Sequence, residues 1–270
     1  MITEVIKALF YACNSYPKVS APHRYSLSDD FELCVLSSIL PATTSYESVY
    51  NIVVELRSGR RTVRELEIGK MIAKNVTTLL KELGYNIRIS IVASTIIFLY
   101  VDAYLSNRIE KDFHEAVKKV FNALNLTPSQ ETVELLRIFN SVGGELRRII
   151  DASELTERRI LTEDLSLGQF FSIISRYSRD FTFFISPQRI LDVLTMADNL
   201  FKSLQNINVV LAKIFLELAK DEAQIRIDFD KATLASIIKM DLEMRKKGID
   251  LTHLMPYVML ASLYLVKTKL

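Results

Sequence analysis

The residues best suited to chemistry in this chain form a short basic segment near its start. Lys18, His23 and Arg24 lie close together beside Tyr25, and the acidic residues Asp29 and Asp30 follow. Ammonium and guanidinium groups bind phosphates and carboxylates, and a following helix N-terminus adds backbone N–H donors. The segment therefore predicts an anion-binding loop. A surface connector whose prolines set its path accounts for the same residues without a ligand.

A second polar segment precedes the most apolar stretch of the chain. Gly84, Asn86 and Arg88 come directly before residues 89–101. Polar groups at the mouth of a buried helix often line a pocket. The alternative is local: Gly84 ends one helix, Asn86 caps the next, and Arg88 pairs with a nearby acid.

A third segment contains the adjacent glycines Gly143 and Gly144, followed by Glu145. The whole chain has only 7 glycines, so a pair of them indicates a backbone requirement. Either a turn between two helices or the close approach of a ligand would meet it.

Several common kinds of site are excluded because the chain lacks their sequence motifs. The chain has no P-loop, dinucleotide-binding or nucleophile-elbow pattern. Its three histidines, His23, His114 and His253, lack metal-binding spacing. Two cysteines, Cys13 and Cys34, are too few for a disulfide scaffold or a four-thiolate zinc site.

The charge balance does not favour nucleic acid as a partner. The chain has 34 basic and 32 acidic residues, a net charge of +2. One basic cluster, flanked by glutamates, is typical of a solvated helix face. Its members are Arg57, Arg60, Arg61 and Arg64.

Helical patterning dominates the chain, which has 7 glycines and 6 prolines in 270 residues. Apolar residues recur at helical spacing almost throughout, and residues 89–104 and 254–266 are apolar nearly all round, as in helices enclosed by others. Pro41 is predicted to end a helix over 31–40. We predict an all-α fold, with residues 1–270 as a single compact multi-helix domain that has buried central helices.

The cellular location is predicted from two absences. The first residues lack a basic start followed by an apolar run, so no secretory signal is expected. The stretch 89–101 is shorter than the roughly 20 residues of a spanning helix. A cytoplasmic protein without a membrane partner is expected.

Taken in order, these segments resemble the ATP:dephospho-coenzyme A triphosphoribosyltransferases (triphosphoribosyl-dephospho-coenzyme A synthases), especially their archaeal-type members. The family's P-K-P-G-N-V-x-R-Y stretch is matched by Pro17-Lys18 and Arg24-Tyr25 at the same spacing. Its G-x-N-T-x-x-G stretch resembles residues 84–90, and its G-G-L resembles Gly143-Gly144. A later D-T-x-x-x-R-K resembles residues 221–226.

The resemblance implies an all-helical transferase for nucleotides. In that reaction the C1′ of the ATP ribose is transferred to the 2′-hydroxyl of 3′-dephospho-coenzyme A, and adenine leaves, with Mg²⁺ accompanying the ATP. The implied catalytic carboxylate is Asp221. The implied nucleotide- or substrate-binding residues are Lys18, His23, Arg24, Tyr25, Gly84, Asn86, Arg88 and Arg226.

Departures from the family pattern point to a divergent member. Val19 and Ser20 replace Pro-Gly, Ile87 and Ser90 replace Thr and Gly, and the segment 250–256 lacks the family's glycine. Glycines that let a backbone approach phosphate are not replaced without cost. The sequence predicts a transferase of reduced or altered activity. The alternative is a non-catalytic helical homologue that binds a nucleotide or a protein.

Overall fold

A computed structural model describes residues 2–26, 28–84, 87–223 and 233–270, apart from the side chains of Asp221 and Ala223. All regular structure in this part of the chain is helical, which confirms the all-α prediction. The α-helices are α1 (Ile2–Asn14), α2 (Asp30–Arg57), α3 (Ile68–Leu83), α4 (Ile89–Ser106), α5 (Phe113–Leu124), α6 (Ser129–Val142), α7 (Gly144–Ala152), α8 (Glu157–Thr162), α9 (Leu167–Ile174), α10 (Pro187–Leu204), α11 (Ile207–Ala223), α12 (Leu234–Lys246) and α13 (Met255–Thr268). Short 3₁₀ segments lie at Val63–Glu65, Arg179–Ile185 and Thr252–Leu254.

Helix α4 forms the centre of the core. Every residue from Ile89 to Tyr104 is buried, and α2, α3, α5 and α13 pack around it. Residues Met255 to Val266 of α13 are buried as well. Both helices lack a polar face because other helices surround them, as their composition predicts. Among the described helices, α4 alone is long and apolar enough to cross a membrane, and 89% of it is buried inside the fold.

Helix α2 continues through Pro41, so the prediction that a helix ends there is wrong. An internal proline removes one backbone hydrogen bond and costs about 3 kcal/mol. Residues beyond it, including Ala42, Ser45 and Val49, are buried in the same helix. Helix α2 packs along α4, and this packing outweighs the local cost of the proline.

Helix ends follow the predicted signals at several places. Gly84 ends α3 with φ +68°, and its N–H donates to the carbonyl of Leu80. Pro187 is the first residue of α10. Residues 181–185 and 225–229 are short runs with the composition of strands; the first lies in a 3₁₀ segment, and the second lies outside the described residues.

A buried carboxyl group joins α6 to the start of α3. Glu131 is 3% exposed, and its Oε2 accepts the N–H of Gly69 at 2.8 Å. A Cβ at position 69 would lie 2.9 Å from the Cβ of Glu131, so glycine permits this approach. Burial raises the pKa of Glu131 to about 7, and the negative charges of Glu67 and Glu134 add to the shift. The Gly69 hydrogen bond and Lys70 oppose it.

We expect Glu131 to make the stability of the protein depend on pH. A carboxyl whose pKa is about 7 in the folded state and 4.5 in the unfolded state binds more protons when folded. The free energy of unfolding should therefore fall by about 3 kcal/mol as the pH rises from 4.5 through 7. Glu131→Gln, which keeps an acceptor for Gly69, should remove that share of the dependence. Urea denaturation between pH 5 and 8 measures it.

The matched control is Glu82→Gln, since Glu82 is an exposed glutamate on α3. It should leave the pH profile of the wild-type protein unchanged. Parallel profiles for Glu131→Gln and the wild type would show that Glu131 does not titrate in this range.

Candidate functional site

A cavity of about 570 Å³ lies where the start of α4 meets α7 and the 3₁₀ segment Arg179–Ile185. It brings together Arg88, from the second polar segment of the sequence, and Gly143, Gly144 and Glu145, from the third. Its polar lining consists of Arg88, Ser90, Glu145, Asp180 and Thr252, together with the Gly143-Gly144 backbone.

Two helix N-termini face this cavity through residues that line it. The residue before α4 is Arg88 and the residue before α7 is Gly143, and neither helix has a side-chain cap. The first N–H groups of a helix lack partners within the helix and favour negative charge. Gly143 and Gly144 have φ +72° and +57°, and nothing in the described structure lies within 4 Å of a Cβ built on either. A ligand can therefore approach the backbone closely at this turn.

Arg88 is held in place at the cavity wall. Its backbone N–H donates to Ser37 Oγ at 3.1 Å, and its guanidinium pairs with Asp30 at 2.8 Å and Asp250 at 3.4 Å. The local alternative for this residue, pairing with a nearby acid, is confirmed. Among the described residues, its buried Nε has no hydrogen-bond partner.

Asp180 supplies a carboxyl group with an altered pKa. Although the residue is exposed at the cavity mouth, the surrounding protein displaces enough water to raise the pKa of its carboxyl to about 6. The negative charges of Asp250 and Glu145 add to the shift, and Arg88 opposes it. Such a group is largely ionised at pH 7 and remains a useful base.

A chain of ion pairs connects this cavity to the first polar segment. Asp30 binds Arg88 with one oxygen and Arg245 with the other, the latter at 2.6 Å. Arg245 also contacts Asp241 at 2.9 Å, and Asp241 lies 3.4 Å from His23 Nε2. His23 and Arg88 are therefore linked through Asp241, Arg245 and Asp30. Their spacing in the sequence does not indicate this link.

Lys18 lies in the core and does not line the cavity. It is 0% exposed, and its Nζ donates to the carbonyl of Ala12 at 2.7 Å and lies 3.6 Å from Met255 Sδ. Burial lowers its pKa well below the ordinary value. Its amine caps the C-terminal carbonyls of α1. This geometry corrects the phosphate contact implied for Lys18, because a phosphate has no access to a group enclosed in this way.

A disulfide bond closes the first polar segment into a loop. Cys13 at the end of α1 is bonded to Cys34 in the first turns of α2, with 6.0 Å between their Cα atoms. Sequence reasoning excluded a scaffold of several disulfides and did not pair these two residues. The bond restrains the loop because it shortens the free chain between the two helices.

Arg24 and Tyr25 lie on the outer side of this loop. Both are exposed, and the Arg24 guanidinium lies 4.9 Å from the centre of the Tyr25 ring. Tyr16 contacts the same ring at 4.8 Å. Neither Arg24 nor Tyr25 lines the cavity.

Of the remaining predicted site residues, only Gly84 and the backbone of Asp221 belong to the described structure. Asn86 and Arg226 lie outside the described residues, as does the side chain of Asp221, whose backbone lies in the last turn of α11. Gly84 ends α3 a few residues before the cavity. Sequence reasoning missed Asp180, because a single acid between Arg179 and Phe181 belongs to no motif.

Comparisons with known proteins add no assignment. No protein-family model matches this chain, and no match was found among curated proteins or solved structures. The family resemblance therefore stays a prediction.

Proposed function

We propose that the chain binds a nucleotide in the cavity at α4 and α7 and transfers its ribosyl group to the hydroxyl of a second nucleotide. ATP as donor and dephospho-coenzyme A or a related nucleotide as acceptor follow from the family resemblance. The observation that carries the proposal is one cavity lined by two uncapped helix N-termini, Arg88 and the carboxyl of Asp180.

Phosphate groups fit the donors at one side of the cavity. Backbone N–H groups at the starts of α4 and α7, together with the Arg88 guanidinium, are the groups that bind phosphate in proteins. A volume of about 570 Å³ is within the usual range for small-molecule sites. The open backbone of Gly143 and Gly144 allows a phosphate oxygen to reach the N–H groups.

Asp180 is the group that accepts a proton in this proposal. The acceptor hydroxyl oxygen bonds to C1′ of the donor ribose while the bond from C1′ to the adenine nitrogen breaks. The hydroxyl proton passes to the Asp180 carboxylate, and adenine leaves with the electrons of the broken bond. A base with a pKa of about 6 suits this transfer near neutral pH.

The acidic residues also fit an ion that enters with a nucleotide. The described residues contain no group of three metal-ligating side chains. Mg²⁺ bound to phosphates commonly uses only one or two protein carboxylates, and Glu145, which has no part in the proposed proton transfer, lines the cavity. When bound there, the ion would neutralise phosphate charge.

A non-catalytic nucleotide-binding protein is the second candidate. Two residues that the family resemblance implies as nucleotide ligands favour this candidate. Lys18 is enclosed in the core, and the guanidinium of Arg88 is already paired with Asp30 and Asp250. Release of adenine from ATP by the wild-type protein, above that of the protein-free reaction, would exclude this candidate.

Binding is tested by thermal unfolding with MgATP. We expect saturating MgATP to raise the melting temperature by several degrees, because a ligand bound to the folded state stabilises it. Arg88→Gln should reduce the shift by at least half, while Arg24→Gln should retain it, since Arg24 does not line the cavity. Absence of a shift in the folded wild-type protein would reject the proposal. Loss of the shift in Arg24→Gln alone would place the nucleotide at the first polar segment.

A further inference from the structure

A second cavity, of about 610 Å³, lies on a different part of the molecule. The end of α2, the 3₁₀ turn Val63–Glu65 and the starts of α3 and α6 form its walls. Three arginines of the basic cluster identified in the sequence line it, joined by a lysine of α3. These side chains are Arg60, Arg61, Arg64 and Lys70.

Two of the four cations are already neutralised. Arg61 lies 2.5 Å from Glu55 and 3.5 Å from Glu67, and Lys70 lies 3.4 Å from Glu67. These ion pairs hold Arg61 and Lys70 against the wall of the cavity.

The other two cations are available to a ligand. Arg60 donates from Nε to Ser58 Oγ at 3.0 Å. Within the part of the chain that the structure describes, neither Arg60 nor Arg64 forms an ion pair with a carboxylate. Guanidinium groups present paired N–H donors that match the oxygens of a phosphate.

Backbone donors complete this surface. Helix α6 begins after Pro128, which lines the cavity and provides no side-chain cap. The N–H of Glu131 donates to the carbonyl of Pro128 at 3.1 Å, and the N–H groups of Ser129 and Gln130 before it have no partner within the helix. The carboxyl of Glu65 is taken by the backbone and hydroxyl of Thr62, so it does not compete for Arg60 or Arg64.

We propose that this cavity is a second anion-binding site, which takes a small phosphorylated molecule through Arg60, Arg64 and the start of α6. A compact phosphate fits better than a nucleic acid, because the cavity offers two arginines without a carboxylate partner among the described residues, whereas a nucleic acid is bound through many cations. The site does not depend on the proposed transferase function, since it shares no lining residue with the cavity at α4 and α7.

The test is isothermal titration of the full chain with inorganic pyrophosphate, and with inorganic phosphate as a second probe. We expect the double variant Arg60→Gln/Arg64→Gln to weaken pyrophosphate binding at least tenfold. Arg57→Gln is the matched control, because Arg57 is exposed at the end of α2 and does not line the cavity. It should bind as the wild type does. Arg88→Gln is titrated in parallel, so that binding in the cavity at α4 and α7 is detected separately.

Three outcomes would overturn the proposal. Absence of binding by the folded wild-type protein is the first. An equal loss in Arg57→Gln is the second, because it would indicate diffuse attraction to surface charge. A loss confined to Arg88→Gln is the third, since pyrophosphate would then occupy the cavity at α4 and α7. Unchanged melting temperatures of the variants show that a loss is not caused by unfolding.

Discussion

Asp180→Asn is expected to lower the rate of adenine release from ATP by about 10²–10⁴-fold, the usual contribution of a positioned general base. The amide has nearly the same shape as the carboxylate but cannot accept the proton of the acceptor hydroxyl. The Michaelis constant for ATP should change little, because in the proposed site Arg88 and the helix N-termini, not Asp180, bind the phosphates. Chromatographic quantification of adenine in the presence of the acceptor measures the rate.

The pH profile separates a base from a structural residue. Asp180 must be ionised to act, so the wild-type rate should rise with pH through about 6 and then level off. That limb should be absent in Asp180→Asn. The control is Asp192→Asn, at an exposed position on α10, which should retain both the rate and the limb. A fully active Asp180→Asn with an unchanged limb would remove Asp180 from the mechanism.

Lys267→Met is expected to destabilise the protein by about 3–5 kcal/mol at pH 7, because it leaves a buried charge without a partner. Asp102 is 0% exposed on α4, and Lys267 Nζ lies 2.5 Å from its Oδ1. The same ammonium contacts Glu4 at 2.5 Å. Burial raises the pKa of Asp102, and Lys267 opposes that shift, while Glu4 reinforces it. Urea denaturation measures the loss.

The loss should shrink as the pH falls toward 4. Without Lys267 the folded-state pKa of Asp102 rises further, so protonation removes the uncompensated charge at lower pH. The double variant Asp102→Asn/Lys267→Met should recover most of the stability. Lys118→Met breaks the exposed pair with Glu115 and should cost no more than about 1 kcal/mol. Equal costs for Lys267→Met and Lys118→Met would refute the buried-charge argument.

Much of the fold could be predicted from local patterns. The all-round apolar stretches at 89–104 and 254–266 became the enclosed helices α4 and α13, because a helix without a polar face must be covered. Gly84 and Pro187 mark helix ends because their backbone restrictions act locally. Pro41 was mispredicted since the packing of α2 on α4 is a long-range effect that exceeds the local penalty.

The candidate site was only partly predictable. Residue types identified Arg88 and the Gly143-Gly144 pair, which do line one cavity. They also predicted that Lys18 binds a ligand, but its Nζ donates to the carbonyl of Ala12 at the end of α1. A positive charge in a loop has the same sequence signature whether it faces solvent or caps a helix, so composition could not separate the two positions.

The helical character of the described residues and the enclosed position of α4 could be inferred from the sequence. Helices are recognisable because they depend on residues a few positions apart, and a helix that is apolar all round must be covered by others. The packing of the helices brings Asp180 into the cavity that Arg88 and Gly143 line, joins Arg88 to Arg245 through Asp30, and bonds Cys13 to Cys34. These pairs are far apart in the chain, and their distances and pKa values arise only when the helices pack.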